Sequence, residues 1–252
     1  MSFVQEVGGN NAGGATTCVA TMTSVAGDLL VVCIAMATGA TVSVSSVTDD
    51  GGNTYHAMPT GNPMYVSGHV NRGELWYSIA ANANATGVTV TFSASVAAVI
   101  SVQEHSGSWA IDVSAGTAGD SSSASSGATA TLAGNSDLAI GFVCAHNTGT
   151  YSSTGSGYTA TTEHTNTPEG ILSAYKYSAS SGGETYTATL PASVYWACGV
   201  CCFKSSAAAA VEPVRPRVVP QAVQRAANWC KRADGLVVPN RRIFVPSLSR
   251  AA

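Results

Sequence analysis

The chain has 252 residues, 45% of them hydrophobic and only 10% charged, against roughly 25% charged in an ordinary soluble domain. So little charge excludes long salt-bridged helices, and solubility must come from hydroxyls and small residues. The net charge of −3 conceals a split: residues 1–205 carry three basic side chains against twelve acidic ones, net −9, whereas residues 206–252 carry eight against two, net +6. The longest apolar run, Leu29 to Ala37, is far below the ~20 residues that cross a bilayer. No basic, apolar and small-residue leader pattern precedes it, so a soluble protein without signal peptide or membrane contact is expected.

In chain order, short β-rich runs broken by Gly, Ser, Asn and Asp predict strands over Thr16–Thr23, Asp28–Ala37, Thr41–Thr48, Glu74–Ala80, Val88–Ser93 and Ala97–His105. A Gly/Ser/Ala-rich stretch, Gly116–Ser126, reads as an exposed crossover loop. Further strands are predicted over Ala128–Leu132, Asp137–Ala145, Gly157–Glu163, Ile171–Ser178, Glu184–Leu190 and Val194–Phe203. Asp49-Asp-Gly-Gly-Asn has the composition of a turn. Leu30, Val32 and Ile34 alternate with Val31 and Cys33, so that strand must be buried on both faces.

Three ordered cues recur. Leu29 and Leu138 lie in similar strings 109 residues apart (138 − 29), Tyr77 and Tyr177 100 apart (177 − 77), and Val96 and Val194 98 apart (194 − 96). This order predicts two similar halves with loop deletions in the second. The expected fold is all-β: a β-sandwich, jelly-roll-like body with a first unit over 1–115, the crossover loop over 116–126, a second unit over 127–205 packed on the first, and an extended C-terminal arm over 206–252.

Seven cysteines do not read as a disulfide scaffold. Cys33 and Cys144 lie in apolar strand runs and should pack as free thiols. Cys198-Gly-Val-Cys has zinc-site spacing but no second pair, and on a strand its two cysteines face opposite ways. His56, His69, His105, His146 and His164 have no metal-binding spacing and read as exposed strand-end or loop residues. No nucleophile elbow, phosphate loop or paired-carboxylate pattern is present, so no enzyme, cofactor or metal is expected. Trp76, Trp109 and Trp196 are candidate sugar platforms, with Trp196, in an apolar run, read as core.

The arm holds five of the nine prolines, Pro213, Pro216, Pro220, Pro239 and Pro246, which fix an extended path. Gln221–Arg232 predicts a short amphipathic helix, and Leu236-Val-Val-Pro and Arg242-Ile-Phe-Val-Pro predict extended pieces suited to another chain's sheet edge. Its candidate partner-binding residues are Arg215, Arg217, Arg225, Trp229, Lys231, Arg232, Arg241, Arg242 and Phe244.

Ser46-Val-Thr-Asp-Asp-Gly-Gly-Asn-Thr-Tyr, Glu74-Leu-Trp-Tyr-Ser, Val88-Thr-Val-Thr-Phe-Ser and Glu104-His-Ser-Gly together resemble a family of β-sandwich proteins of tailed bacteriophages and bacterial genomes. The resemblance covers about Met1 to Lys204 and implies a structural or adhesive virion module with no catalytic site to carry over. The function expected from it is a capsid decoration or cement protein, assembled in the host cytoplasm and held by its arm to other virion proteins, the major capsid protein or tail components, with a homo-oligomer expected. The alternative is a tail-associated adhesin or receptor-binding protein that recognises host polysaccharide. Nucleic-acid contact by the arm ranks below both, because only Trp229 and Phe244 interleave its arginines.

Overall fold

Strict alternation of apolar side chains on both faces of a strand is satisfied only by stacking sheets on either side of it, and this requirement organises the fold. The computed structural model describes residues 1–11, 13–79, 81–133, 137–146, 149–178, 182–206, 229–231, 235 and 237–239. These residues are all-β, in antiparallel sheets, and contain no helix. The chain divides into two units, Met1–Ala208 and Ala209–Ala252.

In the first unit the chain runs through β1 (Ser2–Asn10), β2 (Ala15–Thr21), β3 (Leu29–Met36), β4 (Val44–Asp49), two short pieces β5 (His56–Ala57) and β6 (Met64–Tyr65), then β7 (Arg72–Ser78), β8 (Gly87–Val96) and β9 (Ala98–Ser106). It continues through β10 (Trp109–Ser125), β11 (Asp137–Ala145), the short β12 (Ser152–Ser153), β13 (Thr159–Ala160) and β14 (His164–Asn166), and then β15 (Glu169–Ser178) and β16 (Thr187–Ser205). The first central sheet has the order β1-β9-β3-β7-β5, with β6 also on β7. The second has the order β10-β16-β11-β15-β13, with β14 on β15 and β12 on β16. An outer sheet, β2-β8-β4, completes the body.

Three apolar clusters separate these layers. On β3, Leu30, Val32, Ile34 and Met36 pack toward Cys18, Ala20, Val88 and Val90 of the outer sheet. Its other face, Leu29, Val31, Cys33 and Ala35, meets Leu138, Ile140, Phe142 and Cys144 of β11 across the middle of the body. The remaining face of β11, with Ala139, Val143 and Ala145, packs under Ala124, Tyr186, Ala188 and Leu190, because the second central sheet curls over itself. All eight residues of β3 are buried, as the two-faced pattern requires. The layers approach closely at glycines: a Cβ on Gly73 would press on Phe142, Cys144 and Ala197, and one on Gly141 would overlap the Tyr186 ring.

Strand pairing follows corresponding paths in the two central sheets. Leu29 pairs with His105 on β9, and Leu138 pairs with Phe203 on β16. Tyr77 pairs with Val31, and Tyr175 pairs with Ile140. If Leu29 and Leu138 are taken as corresponding positions, Tyr175 and not Tyr177 stands where Tyr77 does. The register shift in β1 between Phe3 and Gln5 has a parallel in β10 between Ile111 and Ser114. The sheets also differ: β8 and β9 are separate strands in different sheets, whereas β16 is one strand running through both layers of its curl.

Several sequence expectations need correction; Ala128–Leu132, for one, forms no strand. Gly116–Ser126 is not a crossover loop: residues up to Ser125 lie in β10, with Gly116 opposite Gly199 and Ser123 opposite Thr189. Its small residues are explained by what covers them. The Trp196 ring occupies the space a Cβ on Gly119 would need, and Trp196 Nε1 donates to Ser121 Oγ at 3.0 Å. Asp49–Asn53 contains the turn its composition suggests, and because β4 pairs with β8 and β5 with β7 it carries the chain from one sheet to another.

In the second unit, β17 (Trp229–Lys231) pairs antiparallel with β18 (Val237–Pro239), with Gly235 between them at φ 85°. The helix expected over Gln221–Arg232 is therefore corrected at residues 229–231, which are strand, and the Val237–Pro239 piece pairs within its own unit. Residues 221–228 and 232 lie outside the described residues.

Candidate functional site

Most of the sequence-selected chemistry is committed to structure. Asp49 accepts from Asn53 N at 3.0 Å, Asn53 Nδ2 at 2.7 Å and the Tyr55 hydroxyl at 2.8 Å, and Asp50 accepts from Thr86 N and Oγ1. Those Thr86 bonds hold the Asp50 carboxyl below its usual range. Cys198 and Cys201 belong to different apolar clusters on opposite faces of β16. The six cysteines described with side chains are buried, and burial pushes the Cys18 thiol up to about 12. Trp109 and Trp196 are buried, while Trp76 is half-buried with Nε1 donating to Glu74 at 3.0 Å. Glu74 also holds Arg72 at 2.8 Å, so this ion pair is satisfied within its own strand.

His56 is exposed, as its setting in the sequence suggests, whereas His69, His105, His146 and His164 are less exposed than expected. His105 is wholly buried, bonded to the Tyr177 hydroxyl at 3.0 Å and to Gln103 Oε1 at 2.9 Å, and burial drives it down to about 3. It is held neutral inside an aromatic nest of Phe3, Tyr175 and Tyr177. His146 lies 2.6 Å from Glu169, whose carboxyl is pushed up to about 7 by burial, with the His146 contact opposing. His69 stacks on Tyr195.

The fifth histidine leads to a polar cluster that nothing in the sequence singles out. His164 Nε2 lies 2.7 Å from Glu6 Oε1, although 158 positions separate the two residues. The same carboxylate oxygen accepts from Ser101 Oγ at 2.7 Å. Ser101 and Ser173, both fully buried, bring their hydroxyls within 2.7 Å of each other across the two central sheets, and Ser173 Oγ lies 2.7 Å from Thr161 Oγ1. Gly8 makes room for the cluster, because a Cβ there would overlap the His164 ring. Ser101 and His164 meet the same carboxylate oxygen instead of each other, so no imidazole nitrogen is placed to take the Ser101 proton, as a serine nucleophile would require.

Glu6 opens onto a surface cleft of about 450 Å³, lined also by Phe3, Thr159, Ala160, Thr161, Thr162 and Tyr175. The Phe3 and Tyr175 rings are stacked, with centroids 4.7 Å apart and planes 6° from parallel. A second cleft of about 480 Å³ lies at the corresponding place on the other sheet, with Ile111, His56 and Tyr77 on its walls where the first has Phe3, Thr159 and Tyr175. The match follows from pairing: His56 is opposite Tyr77 on β7, and Thr159 is opposite Tyr175 on β15.

Of the arm residues, Trp229 and Lys231 lie in β17, described by its backbone pairing alone. Arg215, Arg217, Arg225, Arg232, Arg241, Arg242 and Phe244 lie outside the described residues. Among the described residues no group of three or more His, Cys, Asp or Glu side chains is arranged to hold a metal, and no helix is long and apolar enough to cross a membrane. Comparison with known proteins found no matching family model, no matching curated protein and no matching solved structure.

Proposed function

We propose that the protein is a non-enzymatic structural component of a phage particle, a capsid decoration or cement protein attached through its basic C-terminal segment. The observation carrying this reading is that charge and architecture divide at nearly the same place. The segment of net charge −9, residues 1–205, lies wholly in the unit ending at Ala208, and eight of the eleven basic residues lie in Ala209–Ala252. A body of net charge −9 gains no attraction to an anionic surface, whereas eight basic side chains on a proline-rich segment supply charge-assisted bonds to carboxylates on a partner. The body supplies rigidity through three stacked apolar clusters. The family resemblance of the motifs in residues 46–107 supplies the virion setting.

The test is binding of the full chain to purified capsid shells across a salt titration. Reversing Arg215, Arg217, Arg241 and Arg242 to Glu should abolish retention at low salt while leaving the unfolding midpoint of the body unchanged. Retention equal to the parent chain would overturn the reading.

A further inference from the structure

We propose that the Glu6 cleft is a binding site for one neutral hexopyranose unit. The inference goes beyond attachment and does not depend on it, since it is read on a different part of the chain by a different assay.

The corresponding end of the same interlayer contact is filled differently. Where Ser173, Thr161 and His164 stand on one side, pairing puts Leu75, Met58 and Met64 on the other. Thr161 N donates to Ser173 O at 2.9 Å, and Met58 N to Leu75 O at 2.8 Å. His164 pairs with Ile171, and Met64 with Gly73, at the starts of β15 and β7. Gly8 is crowded by His164, as Gly116 is by Met64. The apolar set is buried in the central cluster, and the polar groups beside it are satisfied by local backbone, Ser114 on Thr60 and Asn62 on Leu75, with no carboxylate or imidazole among them. A network of buried hydroxyls, imidazole and carboxylate adds little stability over such packing. Its presence at one end alone points to use by a ligand.

The geometry selects the ligand. Glu6 has a side chain only 5% exposed, and both of its hydrogen bonds fall on Oε1. Oε2 accepts no hydrogen bond among the described residues and belongs to a side chain that lines the cleft. On a side chain otherwise buried, a carboxylate oxygen that solvent reaches is free to accept from a donor entering the cleft, and its partner oxygen is already fixed in orientation by Ser101 and His164. The stacked rings of Phe3 and Tyr175 form one wall, suited to the C–H face of a sugar ring. Thr159 and Thr162, both exposed, supply hydroxyls at the rim. Hydroxyls donate and accept, which matches a polyol; an ammonium group only donates and leaves their donor capacity unused. The acidic body and Glu6 itself disfavour uronic and sialic acids. The volume falls within the roughly 300–1,000 Å³ of small-molecule sites.

The experiment is a titration of the full chain by amide-resolved NMR with methyl glycosides of glucose, galactose, mannose and N-acetylglucosamine, and in parallel with methyl glucuronoside and an N-acetyl-lysine amide. At least one neutral glycoside should shift the signals of Thr159, Thr161, Thr162 and Tyr175 saturably. Glu6→Gln should weaken that binding roughly tenfold or more. Thr159→Arg, an exposed substitution that obstructs the cleft without entering the core, should abolish it at an unchanged unfolding midpoint. Thr54→Arg, the matching obstruction in the second cleft, should leave it intact. The proposal is overturned if no neutral glycoside shifts these signals, if binding survives Thr159→Arg, or if the glucuronoside or the lysine amide binds as tightly as the neutral sugars.

Discussion

The two ends of the contact between the central sheets solve one packing problem with different chemistry. At one end Leu75, Met58 and Met64 fill the space beside Gly116 and Gly199 with apolar volume. At the other, Ser173, Thr161 and His164 occupy the corresponding places beside Gly8, tied by hydrogen bonds to Ser101 and Glu6. The lesson is that the backbone scheme tolerates either solution, so the choice between them reports on something other than folding. The same contrast holds one strand away, where buried His105 faces Leu29 and buried Phe203 faces Leu138.

Making the apolar end resemble the polar one should have the largest effect. Leu75→Ser removes a fully buried side chain and leaves a hydroxyl without the partners that Ser173 enjoys, so chemical denaturation should show a loss of roughly 4–6 kcal/mol. A loss below about 1 kcal/mol would mean that the apolar end already contains polar partners or water, and the contrast would fail.

Next in size is an acid effect confined to the His105 side. Its folded-state value, about 3, lies below the ordinary 6.5. The neutral form is therefore the one the fold favours, and the stability it contributes is lost as pH falls from about 6.5 toward 3. At about 1.4 kcal/mol per unit this reaches roughly 4 kcal/mol near pH 3. His105→Phe, which copies the residue at Phe203, should flatten that part of the stability profile while giving up the bonds to Tyr177 and Gln103. An unchanged slope between pH 6.5 and 4 would show that other groups set the acid limit.

The smallest effect should come from Gly8→Ala. The added Cβ meets the His164 ring, the far end of a side chain that can swing aside, so the fold should lose about 1–2 kcal/mol. The more telling readout is the His164 imidazole resonance, which should change once the 2.7 Å contact with Glu6 is broken. An imidazole signal identical to that of the parent chain would show that the ring never depended on the glycine.

Much of the body was legible because β3 announces itself: it reads as apolar on both faces, and a strand of that kind can only be central. The cysteines followed from the same alternation, which placed Cys198 and Cys201 on opposite faces. Less visible was β1, whose Phe3 and Val7 are separated by Gln5 and Glu6 and followed by two glycines; it gains its place from pairing with β9, not from its own pattern. The Gly116–Ser125 segment was misread for a related reason. Its composition suits a loop, and only the Trp196 ring lying over Gly119 makes small residues the right choice for a strand there.

The sequence by itself determined that the chain is β-rich, that its core strands are buried on both sides and that its charge is partitioned between two segments, because alternation and composition are local properties. Only the tertiary structure decided where Glu6, Ser101, Thr161, His164 and Ser173 meet. They come from β1, β9, β14, β15 and the approach to β14, and no short-range rule links them. What brings them together is the stacking of one sheet on another, in which two residues become neighbours across a gap of 158 positions through the register of strands that neither of them sets alone.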